Sequence, residues 1–181
     1  MVRLGPDDVS LDDGERLLAT SDAAQSGWEQ TLADVEAMAR DRAESGFETL
    51  VLTSDDTTPK PPKRGESTEW GLVYIVPSNQ AAEYRSFAEN PTFEETVVYQ
   101  ANSSGHVFVV TECLNTDRDL ALFVAGTYRM QHASPLVEAA LERGEMYTHV
   151  KELDGTRVTT IEHDDAEQFF PDPDQFTAYD L

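Results

Sequence analysis

Basic residues are scarce in this chain: its 181 residues hold 13 Lys and Arg against 35 Asp and Glu, a formal net charge of -22, and Lys60, Lys63 and Lys151 are its only lysines. A surface this negative repels DNA, RNA and anionic membranes. No basic helix or aromatic-basic alternation offsets it, so neither nucleic acid nor a membrane is an expected partner. Cysteine is nearly absent as well. With Cys113 alone there is no internal disulfide and no cysteine metal cluster, and its place within an apolar strand pattern makes it a small core residue. Nothing approaches the run of roughly 18 apolar residues that a membrane span needs. The N-terminal stretch carries too many acids for a signal peptide, and the cytoplasm is the expected compartment. Catalytic signatures are missing too: there is no glycine-rich phosphate loop, nucleophile elbow, zincin histidine pair or EF-hand loop. An enzyme is therefore the less expected reading, and no cofactor is expected.

What is abundant is acid. In molar salt the Debye length falls to about 3 Å, so an acidic coat stays hydrated and repels itself little, whereas in dilute buffer the same charge strains the compact state. The composition is that of a halophilic, haloarchaeal protein, expected to unfold or aggregate on desalting. At 181 residues the chain is the size of one domain. Residues 1–25 form a poorly patterned N-terminal segment, 26–170 a single α+β domain, and 171–181 a tail in which Pro171 and Pro173 end regular structure.

The domain is organised around residues 93–130, which read as three successive strands. β-Branched and aromatic residues at 96–101 lead into Asn102-Ser103-Ser104-Gly105, and an apolar strand pattern resumes at 106–114. A third strand spans 120–130. Leu120, Leu122, Val124, Tyr128 and Met130 share one of its faces and Ala121, Phe123 and Ala125 the other. Both faces are apolar, which predicts an interior strand covered on each side by helices or a partner subunit. Trp28, Leu32, Val35, Met38 and Ala39 recur at helical spacing before Gly46. Further strands are expected at 47–53 and 70–76, helices at 79–89 and from Ser134-Pro135 to Arg143-Gly144, and a last hairpin turning at Asp154-Gly155. The fold predicted is α+β: a mainly antiparallel sheet of about six or seven strands with three main helices packed on it.

Candidate chemistry is sparse. If the first hairpin pairs Ala101 with His106, Glu95 lies opposite Glu112. Two facing carboxylates repel, and burial holds a proton on one of them, as general acid-base chemistry requires. Arg129 ends an apolar strand, so its fixed charge needs a carboxylate, water or a ligand anion. His149 and His163, beside Glu162 and Asp164, are the candidate metal ligands, although the Asp-Gly turn sets His149 opposite Thr160 and leaves His163 beyond the ladder. Residues 54–69 read as one long loop. Its Lys60-Pro61-Pro62-Lys63-Arg64 is the only basic cluster, stiffened by proline into an extended form suited to docking; Lys60, Lys63 and Arg64 are the candidate partner-binding residues.

The tryptophan-led helix, Gly46-Phe47-Glu48-Thr49-Leu50-Val51-Leu52, Gly71-Leu72-Val73-Tyr74-Ile75-Val76-Pro77 and the hairpin through Gly105-His106-Val107-Phe108 together resemble a haloarchaeal family of unknown function, over roughly residues 28–130. The resemblance implies strands, turns and helix stripes and carries over no catalytic residue. The leading expectation is a small non-catalytic protein that binds a protein partner or its own copy, as in a homodimer. The alternative is a hydrolase or small-ligand enzyme using Glu95, Glu112 and Arg129, or a metal near His149.

Overall fold

The computed structural model describes residues 6–64, 68–170 and 172, with side chains from residue 22 onward. The elements run α1 (Pro6–Glu44), β1 (Glu48–Thr53), β2 (Asp56–Lys60), β3 (Gly71–Ile75), α2 (Ser78–Phe87), β4 (Glu95–Ser103), β5 (His106–Asn115), β6 (Leu120–Arg129), α3 (Ser134–Arg143), β7 (Met146–Lys151) and β8 (Arg157–His163). Short 3-10 turns lie at Met130–His132 and Glu167–Phe169. The fold is α+β, but its strands form two four-stranded mixed sheets, β1-β6-β5-β4 and β2-β3-β7-β8, and not one mainly antiparallel sheet of six or seven. In each sheet one pair is parallel, β1 with β6 and β3 with β7. Parallel neighbours are joined by long crossovers, so no turn residue marks the pairing.

β4, β5 and β6 make the antiparallel meander that the sequence predicts. β6 lies between β1 and β5, and both of its apolar faces are covered. Ala121, Phe123 and Ala125 pack with Val51, Val110 and Leu114 beneath α1, which supplies Val35 and Ala39 and, less buried, Trp28 and Met38. Leu120, Leu122, Val124 and Tyr128 meet Leu72, Tyr74, Met146 and Val150 of the second sheet, and α2 and α3 add Ala81, Tyr84, Leu136 and Val137 to that core. The covers are thus a helix and a second sheet of the same chain. The double-sided meander therefore gives no reason to invoke a partner subunit.

α1 begins at Pro6, far upstream of its apolar stripe, with proline where its missing N–H is least harmful. The proline-rich stretch expected as a loop contains β2. Thr57 and Pro59 are buried on alternate positions, and Pro59 is tolerated because β2 is an edge strand. β1 runs almost directly into β2: Ser54 N donates to Ala125 O at 3.0 Å and Asp55 N to Ile75 O at 2.8 Å, so the chain leaves one sheet and enters the other between neighbouring residues. Gly126 permits this crossing. A Cβ there would run into Thr57 Oγ1 and the Tyr74 ring, holding β2 and β3 off β6.

Candidate functional site

The β4–β5 turn is tighter than the sequence suggests. Ser103 pairs with His106, which leaves Ser104 at φ 53° and Gly105 at φ 78° as a two-residue loop of left-handed residues. The register moves by two: Glu95 opposes Leu114, Glu112 opposes Val97, and the expected Glu95–Glu112 pair does not form. An even shift preserves the face. Glu112 accordingly points beneath α1, 2 % exposed, where it accepts from Arg42 Nε at 3.2 Å and from Nη2 at 2.8 Å. The bond to Glu112 holds the Arg42 guanidinium above its ordinary value against the opposing effect of burial. Arg42 also lies over the Phe47 ring, 5.6 Å from its centroid. Glu95 is exposed at the start of β4. Glu112 therefore fastens α1 to the sheet and faces no open site.

The two candidate metal ligands project from opposite faces of the second sheet. His149 opposes Thr160 as predicted, whereas the ladder extends further than predicted and pairs His163 with Met146. His149 Nε2 lies 2.8 Å from Trp70 O and its Nδ1 3.0 Å from Thr160 Oγ1, so it donates to the carbonyl and accepts from the hydroxyl. His163 lies between Thr96 Oγ1 at 3.0 Å and Thr148 Oγ1 at 2.8 Å. Burial pushes both imidazoles down, His163 to about 4. All four ring nitrogens are occupied, and the described residues contain no cluster of metal-ligating side chains. Cys113 is fully buried, and burial pushes its thiol up to about 12, far from the reactive thiolate range. Lys60 closes β2 opposite Gly71, while Lys63 and Arg64 are exposed beyond it.

Arg129 stands elsewhere, in a cleft of about 390 Å³ between the end of β6 and the edge strand β2. β5–β6 pairing sets His106 opposite Arg129 and Phe108 opposite Thr127, so His106, Thr127 and Arg129 project from one face. Asp56, Thr57, Thr58 and Pro59 of β2 also line the cleft, and His132 joins from the 3-10 turn after β6. Two polar atoms here, His106 Nδ1 and Thr127 Oγ1, are buried without a hydrogen-bond partner among the described residues. Such groups are rare in folded proteins because each forfeits its hydration, and they mark places where water or a ligand completes the bonding. The Arg129 guanidinium is exposed and makes no ion pair among the described residues. Tyr128 also lines the cleft, and burial raises its phenol well above the ordinary value, so it stays protonated. Sequence reasoning reached Arg129 but not its neighbours. His106 was recoverable from the meander, since a strand following a tight turn puts its first residue against the end of the next strand.

Fold and cleft define the class: an α+β domain of two mixed sheets, with a long helix over one sheet and a cleft where that sheet meets the edge of the other. The chain belongs to a family of unknown function, DUF7529, which matches residues 14–171. No curated protein and no solved structure matches it.

Proposed function

We propose that this is a binding domain whose cleft takes a small oxyanion. The observation that carries the reading is the juxtaposition of His106 Nδ1 and Thr127 Oγ1, buried, with Arg129 in the same cleft, all three without a hydrogen-bond or ion-pair partner among the described residues. A guanidinium offers a planar fork that matches a carboxylate or phosphate, and a hydroxyl and an imidazole N–H complete the donor set. Asp56 in the same cleft disfavours extended polyanions and suits a ligand with a hydroxyl or ammonium group beside its anionic end. Dispersal of Glu95, Glu112, Arg129 and His149 over separate places supports binding over the hydrolytic alternative. The acidic surface supports a halophilic setting and hence assays in molar salt.

The test is titration with inorganic phosphate and with glycolate in molar potassium chloride, followed by NMR at His106, Thr127 and Arg129. Saturable shifts at these residues are expected, and Arg129→Ala is expected to weaken binding by about tenfold or more, as loss of a charge-assisted hydrogen bond does. Failure of both probes to saturate, or equal affinity in the variant, would refute the proposal.

A further inference from the structure

Three of the four sheet edges are covered or interrupted. The 3-10 turn at Glu167–Phe169 lies against β4, whose Gln100 Nε2 donates to Gln168 O and Phe169 O. β2 has five residues and contains Pro59, and the ladder of β8 with β7 shifts register between Val150 and Lys151. Covering segments, proline, short strands and bulges are the devices that keep another strand from adding to an edge.

β1 is the fourth edge. Its parallel ladder with β6 is fixed at both ends, by Glu48 N donating to Asp119 O at 2.8 Å and by Ser54 N donating to Ala125 O at 3.0 Å. Alternate residues of a parallel strand bond the same neighbour, so Glu48, Leu50, Leu52 and Ser54 turn their peptide groups to β6. Those of Thr49, Val51 and Thr53 therefore face outward. Gln80 Oε1 accepts from Thr53 N at 2.8 Å and ends the open edge there. The outward N–H and C=O groups of Thr49 and Val51 meet no hydrogen-bond partner among the described residues.

A groove flanks this edge on each face of the sheet. Toward α1, about 470 Å³ is lined by Thr49 and Val51 with the small Ala39 and Ala43, and by Glu36 and Arg40. Toward α2, about 430 Å³ is lined by Leu50 and Phe87 with the small Ala82 and Ser86, and by Glu48 and Glu83. Side chains alternate across a strand, so a segment paired to β1 sends them in turn into the two grooves.

We infer that β1 receives an extended peptide segment of a partner protein, held by the backbones of Thr49 and Val51, with apolar side chains toward α1 and Lys or Arg toward α2. The occupant follows from charge. Glu48 and Glu83 line the α2 groove and no lysine or arginine does, so a basic side chain there meets two carboxylates. A second copy is the poorer occupant, because its own β1 arrives with the same carboxylates and flanked by the same two helices.

The probe is the peptide acetyl-SKVKVKS-amide, titrated into the full chain in molar potassium chloride. Saturable binding is expected, with hydrogen exchange slowed at the Thr49 and Val51 amides and unchanged at Leu50 and Leu52, which already bond β6. The same peptide N-methylated at its central residues loses the donors in either strand direction. It should bind about tenfold more weakly or worse, as loss of two backbone hydrogen bonds does. Acetyl-SEVEVES-amide should not saturate. No saturation with the lysine peptide, equal binding of the methylated or the glutamate peptide, or protection away from Thr49 and Val51 would overturn the proposal. Exchange at these two amides that slows with protein concentration alone would also overturn it, by giving the edge to a second copy.

Discussion

His163 is 2 % exposed and has its two ring nitrogens on two threonine hydroxyls, so it folds as a neutral imidazole. Its pKa stands at about 4 in the fold, against 6.5 ordinarily, because burial penalises the charged ring. The unfolded chain therefore takes up the proton first as pH falls. The stability this difference contributes is complete above about pH 6.5 and is lost between 6.5 and 4, up to about 3 kcal/mol. His149, lowered for the same first cause, acts in the same direction. Denaturant unfolding in molar salt at pH 7 and pH 4.5 should show a larger loss in the unaltered chain than in His163→Gln, which keeps both hydrogen-bonding ends but does not titrate. Equal losses would mean that His163 does not control this window. The acidic coat is common to both proteins and cancels in the comparison.

At the scale of elements, α1 is held, among the described residues, by an apolar stripe and one ion pair of unequal partners, with side-chain exposures of 35 % for Arg42 and 3 % for Glu112. Removing the arginine strands a buried carboxylate. Arg42→Met should destabilise the protein by about 2–3 kcal/mol, below the full penalty of a buried pair because water reaches the arginine side. Arg42→Met with Glu112→Leu should recover most of the loss. A single variant as mild as a surface ion-pair deletion, measured by denaturant midpoint, would show that the stripe alone docks the helix. Glu112 also marks where sequence reasoning stopped. The meander, the α1 stripe and the last hairpin were legible because period-2 and period-3.6 patterns and the Asp154-Gly155 turn are local signals. The first hairpin's register was not, because Asn102-Ser103-Ser104-Gly105 admits several loop lengths. β2 was concealed by its composition, since Asp56, Thr57, Thr58, Pro59 and Lys60 offer no hydrophobic alternation. The cleft was legible only through Arg129, whose charge ends an apolar strand. Asp56 reaches it only after β2 crosses to the other sheet, a step no local pattern encodes.

At the scale of the whole molecule, a net charge of -22 on 181 residues makes self-repulsion a general term in stability. That term is screened over about 3 Å in molar salt and over roughly 30 Å at 0.01 M. The melting temperature should climb steeply from dilute buffer to molar potassium chloride, with visible aggregation or loss of the cooperative transition at the low end. The same melt at both extremes would count against the halophilic reading.

The passage from β1 to β2 at Ser54 and Asp55 has a consequence for dissection of the chain. The polypeptide enters the first sheet with β1, crosses to the second for β2 and β3, returns for β4 to β6, and crosses again for β7 and β8. The sheets are interleaved along the chain like two threads in one stitch. Wherever the backbone is severed once, neither sheet is left with all its strands on a fragment of its own. A cut anywhere between β2 and β6 divides both sheets, so that the two fragments must recombine to restore either. A cut between β1 and β2 or between β6 and β7 still divides one, and neither sheet is one contiguous half of the chain.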